Sequence, residues 1–369
     1  MMKTKEPAVS VIMAVYNGAQ YLLPTLLSIR SQTFTDYEFI IVNDGSTDET
    51  QSIIEGFLDP NIRLINNSKN MGQTASLNVG LKHARGTYIA RTDAGDISSP
   101  ERFRKQIHYL KKHPHIDILG TDALEYDRRG NFCGHVFLSN RNSAILQRIF
   151  FACPVVHVSV MMRRDCVDQL GGYDESYKVL ADYGLWGRAL QHGFKFWNLR
   201  EVLTGYLVDP DSFGNSNSRD RSVKEAVNII CDIAQSMTGI NLSPDQAEDI
   251  YRFFVFGPQN LGIQRMSNTE ALFESMLLKL NIPKRDINYL FLRSYIKALA
   301  GSGWSSPSLQ KNLQKKVIYD IIKRLSGVFS FHLFENLYGS FKYMWRRNYS
   351  AVGMNTPVFM YPAKKEANT

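Results

Sequence analysis

The sequence lacks the features that announce several large classes of protein. Its four cysteines (Cys133, Cys153, Cys166, Cys231) form no CxxC pair, so neither a zinc ribbon nor a dithiol redox motif is present. They read as free thiols in a reducing cytosol. No run of eighteen apolar residues occurs, which excludes a transmembrane helix of ordinary kind. No apolar stretch precedes the first strand-like segment, so a signal peptide is not expected. No GxGxxG follows a strand-like run and no GxxxxGK[ST] occurs, which disfavours a dinucleotide-dependent dehydrogenase and removes a P-loop. HExxH and GxSxG are missing as well, and with them the zinc-protease and serine-hydrolase readings. Charged residues make up only 21% of the 369 and hydrophobic residues 44%, a balance that excludes a disordered chain and supplies a core for two or three domains.

The net charge of +8 is unevenly placed. Residues 301–369 hold ten Lys and Arg against three acids, Asp320, Glu335 and Glu366. That segment alone is +7, leaving about +1 for the rest. A nucleic-acid reader carries its basic surface on the folded domain that reads, so no nucleic-acid partner is expected.

What is present is an alternation of strand-like and helix-like stretches with short connections, the pattern of a sheet covered by helices. Residues 9–16 are an almost unbroken apolar run, as a strand buried on both faces requires. After Asn17-Gly18, Leu22, Leu23, Leu26, Leu27 and Ile29 recur at helical spacing, with Pro24 expected in the first turns. Residues 37–43 are a second buried strand ending at Asp44-Gly45-Ser46, where Ser46 and Glu49 have the spacing of a capping box. A third strand at 62–66, a helix at 73–84 and a fourth strand at 87–92 follow, the last running into Asp93. Polar groups thus stand at the C-terminal ends of three strands: Tyr16-Asn17, Asp44 and Asp93. Those ends line the ligand crevice of open α/β sheets, and a nucleotide-type site is expected there. Without a glycine phosphate cradle, carboxylates holding a divalent cation are the usual way to bind a diphosphate.

These residues resemble the family 2 glycosyltransferases with the GT-A fold. The likeness rests on residues 9–17 (VSVIMAVYN), Val42-Asn43-Asp44-Gly45-Ser46-Thr47-Asp48, Asn70-Met71-Gly72, residues 77–81 and 84–91, Asp93-Ala94-Gly95-Asp96, residues 100–103, His157-Val158-Ser159, Gly171-Gly172-Tyr173-Asp174-Glu175 and Asp182-Tyr183-Gly184-Leu185-Trp186. It covers roughly residues 8–210 in order and spacing. The resemblance implies transfer of a sugar, with inversion, from a nucleotide diphosphate donor, most often a UDP-sugar, to an acceptor hydroxyl. It places Ala14, Tyr16, Asn17 and Asp44 at the base, Asp93 by the ribose and the metal-bound diphosphate, and Asp182 as the general base; Asp93 and Asp96 are the candidate ligands of a divalent cation (Mn or Mg), and Arg91 a candidate donor-site residue. Such a reaction needs a base opposite the leaving group and neutralisation of the developing diphosphate charge.

The sequence departs from the family pattern at the site itself. The usual Asp-x-Asp-Asp reads Asp93-Ala94-Gly95-Asp96, and Gly95 carries no ligand. Cation binding by Asp93 and Asp96 with added waters stands beside direct neutralisation by Arg91, Arg102 or Arg163. The usual Glu-Asp is Ala181-Asp182, and the usual Tyr-Arg-x-His reads Tyr206-Leu207-Val208-Asp209, where Asp209 could return a carboxylate to the metal. His157 reads either as a core residue of a strand at 155–162 or as a crevice wall. Trp186 reads as core packing.

Residues 213–369 match no motif and read as mostly helical, at 221–236, 244–256, 269–280, 286–299 and 309–325. Phe334, Leu337, Phe341, Met344 and Trp345 with Lys342, Arg346 and Arg347 fit either an amphipathic helix on an anionic membrane or one packed on the catalytic domain. The expected architecture is a GT-A α/β domain over 1–212, a Rossmann-like mixed sheet with helices on both faces, and a helical extension over 213–369. The expected function is an inverting glycosyltransferase of surface polysaccharide or lipopolysaccharide assembly, using a glycan or lipid-linked acceptor, in the cytoplasm or at the cytoplasmic face of the inner membrane, with peripheral contact through the tail. A donor-binding pseudoenzyme is the alternative. A nucleotidyltransferase is less favoured, because Asn17-Gly18-Ala19-Gln20 supplies no phosphate loop.

Overall fold

The structure, a computed structural model, describes residues 6–208, 216–257 and 261–300. In chain order the strands are β1 (Val9–Val15), β2 (Tyr37–Asn43), β3 (Ile62–Asn66), β4 (Tyr88–Arg91), β5 (Ile97–Ser98), β6 (Ile118–Tyr126), β7 (Phe132–Val136), β8 (Met161–Arg163) and β9 (Phe196–Leu207). The helices are α1 (Ala19–Arg30), α2 (Thr50–Glu55), α3 (Gln73–His83), α4 (Arg102–Lys112), α5 (Asn142–Arg148), α6 (Arg164–Leu170), α7 (Ala181–Gln191), α8 (Ser216–Thr238), α9 (Pro244–Val255), α10 (Ile263–Lys279) and α11 (Lys284–Ala300). They build one mixed sheet in the order β3-β2-β1-β4-β8-β6-β9-β5, with β7 paired to β6. β1, β2, β3 and β4 run parallel, β8 is antiparallel to β4 and β6, and β6 is parallel to β9.

The apolar run of β1 is buried throughout because its two faces feed two cores. Val9, Val11 and Met13 pack with Leu22, Leu26 and Ile29 of α1 and Phe103 and Ile107 of α4. Ile12 and Ala14 point the other way, into the core that also holds Leu77 of α3, Leu185 and Trp186 of α7 and the C-terminal helices. This is the two-residue period of a strand covered on both sides. Phe150 and Phe151, just after α5, meet Phe273 and Phe254 at ring-centroid distances of 5.8 and 4.5 Å, so α9 and α10 share the core of the sheet.

Several local expectations are corrected. Pro24 is the sixth residue of α1, beyond its first turn; the helix persists because Leu22, Leu26 and Ile29 are buried, while Leu23 and Leu27 face solvent. Ser46 and Glu49 form no capping box. Asp48 accepts the N–H of Thr50 at 3.0 Å instead, and Ser46 Oγ accepts the N–H of Asn17 at 3.0 Å. The strand expected at 155–162 is a 3-10 turn (His157–Ser159) followed by β8, because Ser159 Oγ bonds back to the Val156 carbonyl at 2.8 Å and Gln106 takes the Ser159 carbonyl at 2.9 Å.

No helix among the described residues is long and apolar enough to cross a membrane. The division placed at residue 212 falls in the segment 209–215, outside the described residues, as do Asp209, the helix at 309–325 and the basic aromatic segment around Phe334 to Arg347.

Candidate active site

The loops that follow β1 and β2 are stitched together. Asn17, at φ 48°, takes the Thr47 N–H on Oδ1 at 2.8 Å; Gly18 N–H reaches Thr50 Oγ1 at 2.9 Å, and Ala19 N–H reaches Asp48 Oδ2 at 3.2 Å. A Cβ on Gly18 would stand 2.5 Å from Val15 Cγ2, so only glycine fits that approach. Asp44, buried just past β2, accepts Asn67 Nδ2 at 2.9 Å and the Met71 N–H at 2.8 Å on one oxygen, and the Gly72 N–H at 2.9 Å on the other. Its carboxylate closes the loop leading into α3. The exposed side chains of Tyr16 and Met71 flank that loop, whereas the Ala14 side chain is turned into the core.

At the end of β4 lies a buried charge cluster. Arg91 donates Nη2 to Asp93 and Nη1 to the Thr92 carbonyl, while its buried Nε has no partner. Burial opposes the guanidinium charge, but Asp93, Tyr173 and Asp96 outweigh it and hold its pKa above the usual value. Asp93 also accepts Gln73 Nε2 at 3.0 Å, and its side chain is 28% exposed, the one carboxylate of the pair open to a ligand. Asp96 is buried and accepts the N–H groups of Leu207 at 3.0 Å and Asp93 at 3.3 Å. Burial, and then the Asp93 charge, push its carboxyl well above the ordinary range. Gly95 sits at φ +103°, where a Cβ would lie 2.6 Å from Leu207 Cδ2, and its carbonyl accepts the Tyr126 hydroxyl. Leu207 therefore covers the position at which the family pattern carries a ligand.

Asp182 lies in the first turn of α7, where the helix dipole favours an anion. It accepts the Tyr183 N–H at 2.8 Å and the Cys153 thiol at 3.3 Å. Burial raises its pKa; these two bonds and the Arg91 charge oppose the rise. Glu225 of α8 fixes the approach to α7 by accepting the N–H groups of Lys178, Val179 and Leu180 at 2.9, 3.0 and 2.8 Å. Tyr173 and Tyr206 lie within electrostatic reach of both Asp93 and Asp182, so β4, α7 and β9 converge on one cleft. Burial pushes the Tyr206 hydroxyl up to about 12, which keeps it a donor. The Tyr173 hydroxyl meets His157 Nε2 at 2.7 Å, and burial with the Arg91 charge drives the His157 pKa well below 6.5, so the ring is neutral.

Arg102 and Arg163, considered for diphosphate neutralisation, are committed elsewhere. Arg102 binds Gln106, Ser98 and the carbonyls of Arg91 and Val160, and burial pushes its pKa down to about 9, still charged. Arg163 binds the carbonyls of Ile116, Leu110 and His113. Trp186 is fully buried. No motif or spacing points to a role for Cys153, Gln73 or Glu225. Tyr173 was visible only as part of Gly171-Gly172-Tyr173, and Tyr206 only as part of a departure from pattern.

Among the described residues no three His, Cys, Asp or Glu side chains converge as a metal cage. The residues present suit a cation shared with phosphate oxygens, with Asp93 as its protein ligand. Asp96 would join only by releasing two backbone amides.

A parallel β1–β2–β4 core, an antiparallel β8 crossing to a β6–β9 pair, and acids at the ends of β4 and the start of α7 define the GT-A fold. The chain belongs to the glycosyl transferase family 2, whose model matches residues 10–171. It is 36% identical over 212 residues, 56% of this chain and 75% of the relative, to EpsE of Bacillus subtilis, which is named for glycosyl transfer. It is 30% identical over 62% of this chain and 83% of the relative to an Escherichia coli UDP-Gal:alpha-D-GlcNAc-diphosphoundecaprenol beta-1,3-galactosyltransferase. In fold it is similar to the mannosyltransferase PcManGT of Pyrobaculum calidifontis in complex with GDP-Man and Mn2+, with TM-score 0.52 at 18% identity, over 87% of this chain and 88% of that one.

Proposed function

We propose that this glycosyltransferase moves a hexosyl or related group from a UDP-sugar to an acceptor hydroxyl with inversion, in the assembly of a bacterial surface polysaccharide or lipopolysaccharide. The observation that carries the reading is Asp182, a half-buried carboxylate held by the Tyr183 N–H and the Cys153 thiol, whose pKa burial raises against the opposing Arg91 charge. A carboxyl of raised pKa is a stronger base, and at neutral pH it can take the acceptor proton. The acceptor oxygen then bonds to the anomeric carbon while the bond from that carbon to the diphosphate oxygen breaks, its electron pair leaving on the diphosphate. Tyr206 and Arg91 would meet the developing negative charge with a hydroxyl donor and a guanidinium. A divalent cation, when bound, neutralises diphosphate charge, and Asp93 is the residue that would hold it. Tyr16, Asn17 and the Asp44 loop would seat the base. The Escherichia coli relative, named for galactosyl transfer from UDP-Gal to a diphosphoundecaprenol-linked sugar, supports a UDP donor, a lipid-linked acceptor and work at the cytoplasmic membrane face.

Replacing Asp182 by Asn tests the base. Transfer should fall by about 10²–10⁴-fold while UDP affinity, measured by calorimetry, stays within a few-fold; retained transfer removes Asp182 from the role. Titration of UDP and GDP with and without Mn2+ tests the donor, and binding of neither nucleotide overturns it. Leu207 lying over Gly95 favours one second reading, a donor-binding protein without transferase activity. UDP binding without any turnover of UDP-sugars, water included as acceptor, would be its signature.

A further inference from the structure

Neither the fold nor the proposed reaction accounts for the Cys153 thiol. It lies in the turn between α5 and the 3-10 segment, and that turn is clamped from three sides. Arg148 Nε takes the Cys153 carbonyl at 2.7 Å, Asn198 Nδ2 of β9 takes the Pro154 carbonyl at 3.0 Å, and the Tyr183 hydroxyl of α7 takes the Ile149 carbonyl at 2.6 Å. The clamps fix the backbone around Cys153 against the first turn of α7. The side chain then points its sulfur at Asp182 Oδ2, 3.3 Å away.

We propose that Cys153 is a positioning residue for the general base: its thiol donates to Asp182 Oδ2, selects one carboxylate rotamer, and leaves the base its proton affinity because a thiol is a weak donor. The proposal rests on Asp182 being the base. The thiol stays protonated, since burial, the Asp182 charge and the hydrogen bond itself all push its pKa well above the usual value and only Arg148 opposes them. The other charged or titratable groups that act on Asp182 or feel its charge are Arg91, Tyr173 and Tyr206. Arg91 holds the base down, and both tyrosines remain neutral hydroxyls. Of these groups only Cys153 donates a side-chain hydrogen bond to the carboxylate. A stronger donor would lower the basicity of Asp182, and no donor would leave its carboxylate free to turn.

The test is the pH dependence of kcat for the intact chain and for Cys153→Ala and Cys153→Ser. The acid limb, where kcat falls as Asp182 takes a proton, should move up by roughly half a pH unit in Cys153→Ala, the size expected for losing one weak hydrogen bond. Its plateau kcat should drop several-fold with donor affinity unchanged. Cys153→Ser keeps a donor, so its limb should stay at or below the original and its plateau should recover. An unmoved limb in Cys153→Ala, or a shift of the same sign in both variants, overturns the proposal. If Cys153→Ala does not fold, the Ser variant alone decides, through a limb moved upward. Loss of transfer in Asp182→Asn together with unmoved limbs in the Cys153 variants would sink only this proposal. Retained transfer in Asp182→Asn would sink the assignment of the base on which it rests.

Discussion

The two sides of the cleft use their carboxylates in opposite ways. On the β1–β2 side, Asp44 stands at the strand end and does the scaffolding itself, binding three donors of the loop that enters α3. On the α7 side the scaffolding belongs to Glu225, a residue from the C-terminal helices that gathers three successive amides ahead of α7. Asp182, two residues farther on, is thereby relieved of holding the chain. Its own bonds are an adjacent amide and a thiol, and burial raises its pKa. If Asp182 is the proposed base, it differs from Asp44 in how little of the chain it holds together. Glu225 also gives the α8 helix a reason to be present that the family pattern does not supply.

The stability of four variants would sharpen or break that contrast. The largest effect on stability is expected from Asp44→Ala and Glu225→Ala, each of which strands backbone amides and should cost about 2–4 kcal/mol in denaturant unfolding. If either variant is as stable as the parent, the scaffolding role on that side is wrong. Gly95→Asp should come next, losing about 1–3 kcal/mol, since it forces a side chain at φ +103° against Leu207. A gain in Mn2+ affinity without loss of stability would show instead that Leu207 yields and the family's ligand position is merely vacant. The smallest effect belongs to Asp182→Asn. A carboxyl whose folded pKa is raised weakens the fold as pH rises from the ordinary carboxylate value through the raised one, because the folded state holds its proton longer than the unfolded chain does. The Asn variant should therefore be slightly more stable than the parent at pH 7, by under about 1 kcal/mol. The difference should vanish as the pH falls toward 4, near the unfolded carboxylate pKa. Lower stability of the variant at pH 7 would place Asp182 among the scaffolding acids.

Strands β1 and β2 were legible because burial on both faces writes itself as unbroken apolar runs, as in residues 9–15 and 37–43. The acids at their ends were legible as positions, through strand-then-Asp punctuation. What each acid does was not. Asp44 finds its partners 23 to 28 residues away and Asp182 finds Cys153 at 29, and no periodicity records such pairs. β6 mixes Gly, Thr, Asp and Glu into its run and was missed, because its buried polar side chains find partners inside the fold: Thr121 bonds the Asp122 carbonyl, and Asp122 accepts the Leu138 N–H and Arg200. The capping box at Ser46 failed because the Asn17 N–H occupies Ser46 Oγ and Asn43 Oδ1 takes the Ser46 N–H.

The pairing of β6 with β9 has a consequence for the order in which the chain matures. Asp117 and Lys195, at the start of that pair, are 78 residues apart, and the Leu207–Asp96 bond that closes the cleft spans 111. Closing such loops carries an entropic cost that rises with length, and non-local pairings of this kind form slowly. At about 5–20 residues per second, a ribosome finishes β1 to β4 many seconds before β9 emerges. Through that interval the nascent chain has Asp93 but neither Leu207 over Gly95 nor an α7 braced by Glu225. The β1–β4 side can be assembled during synthesis, whereas the turn that carries Asp182 is braced only after α8 has been made.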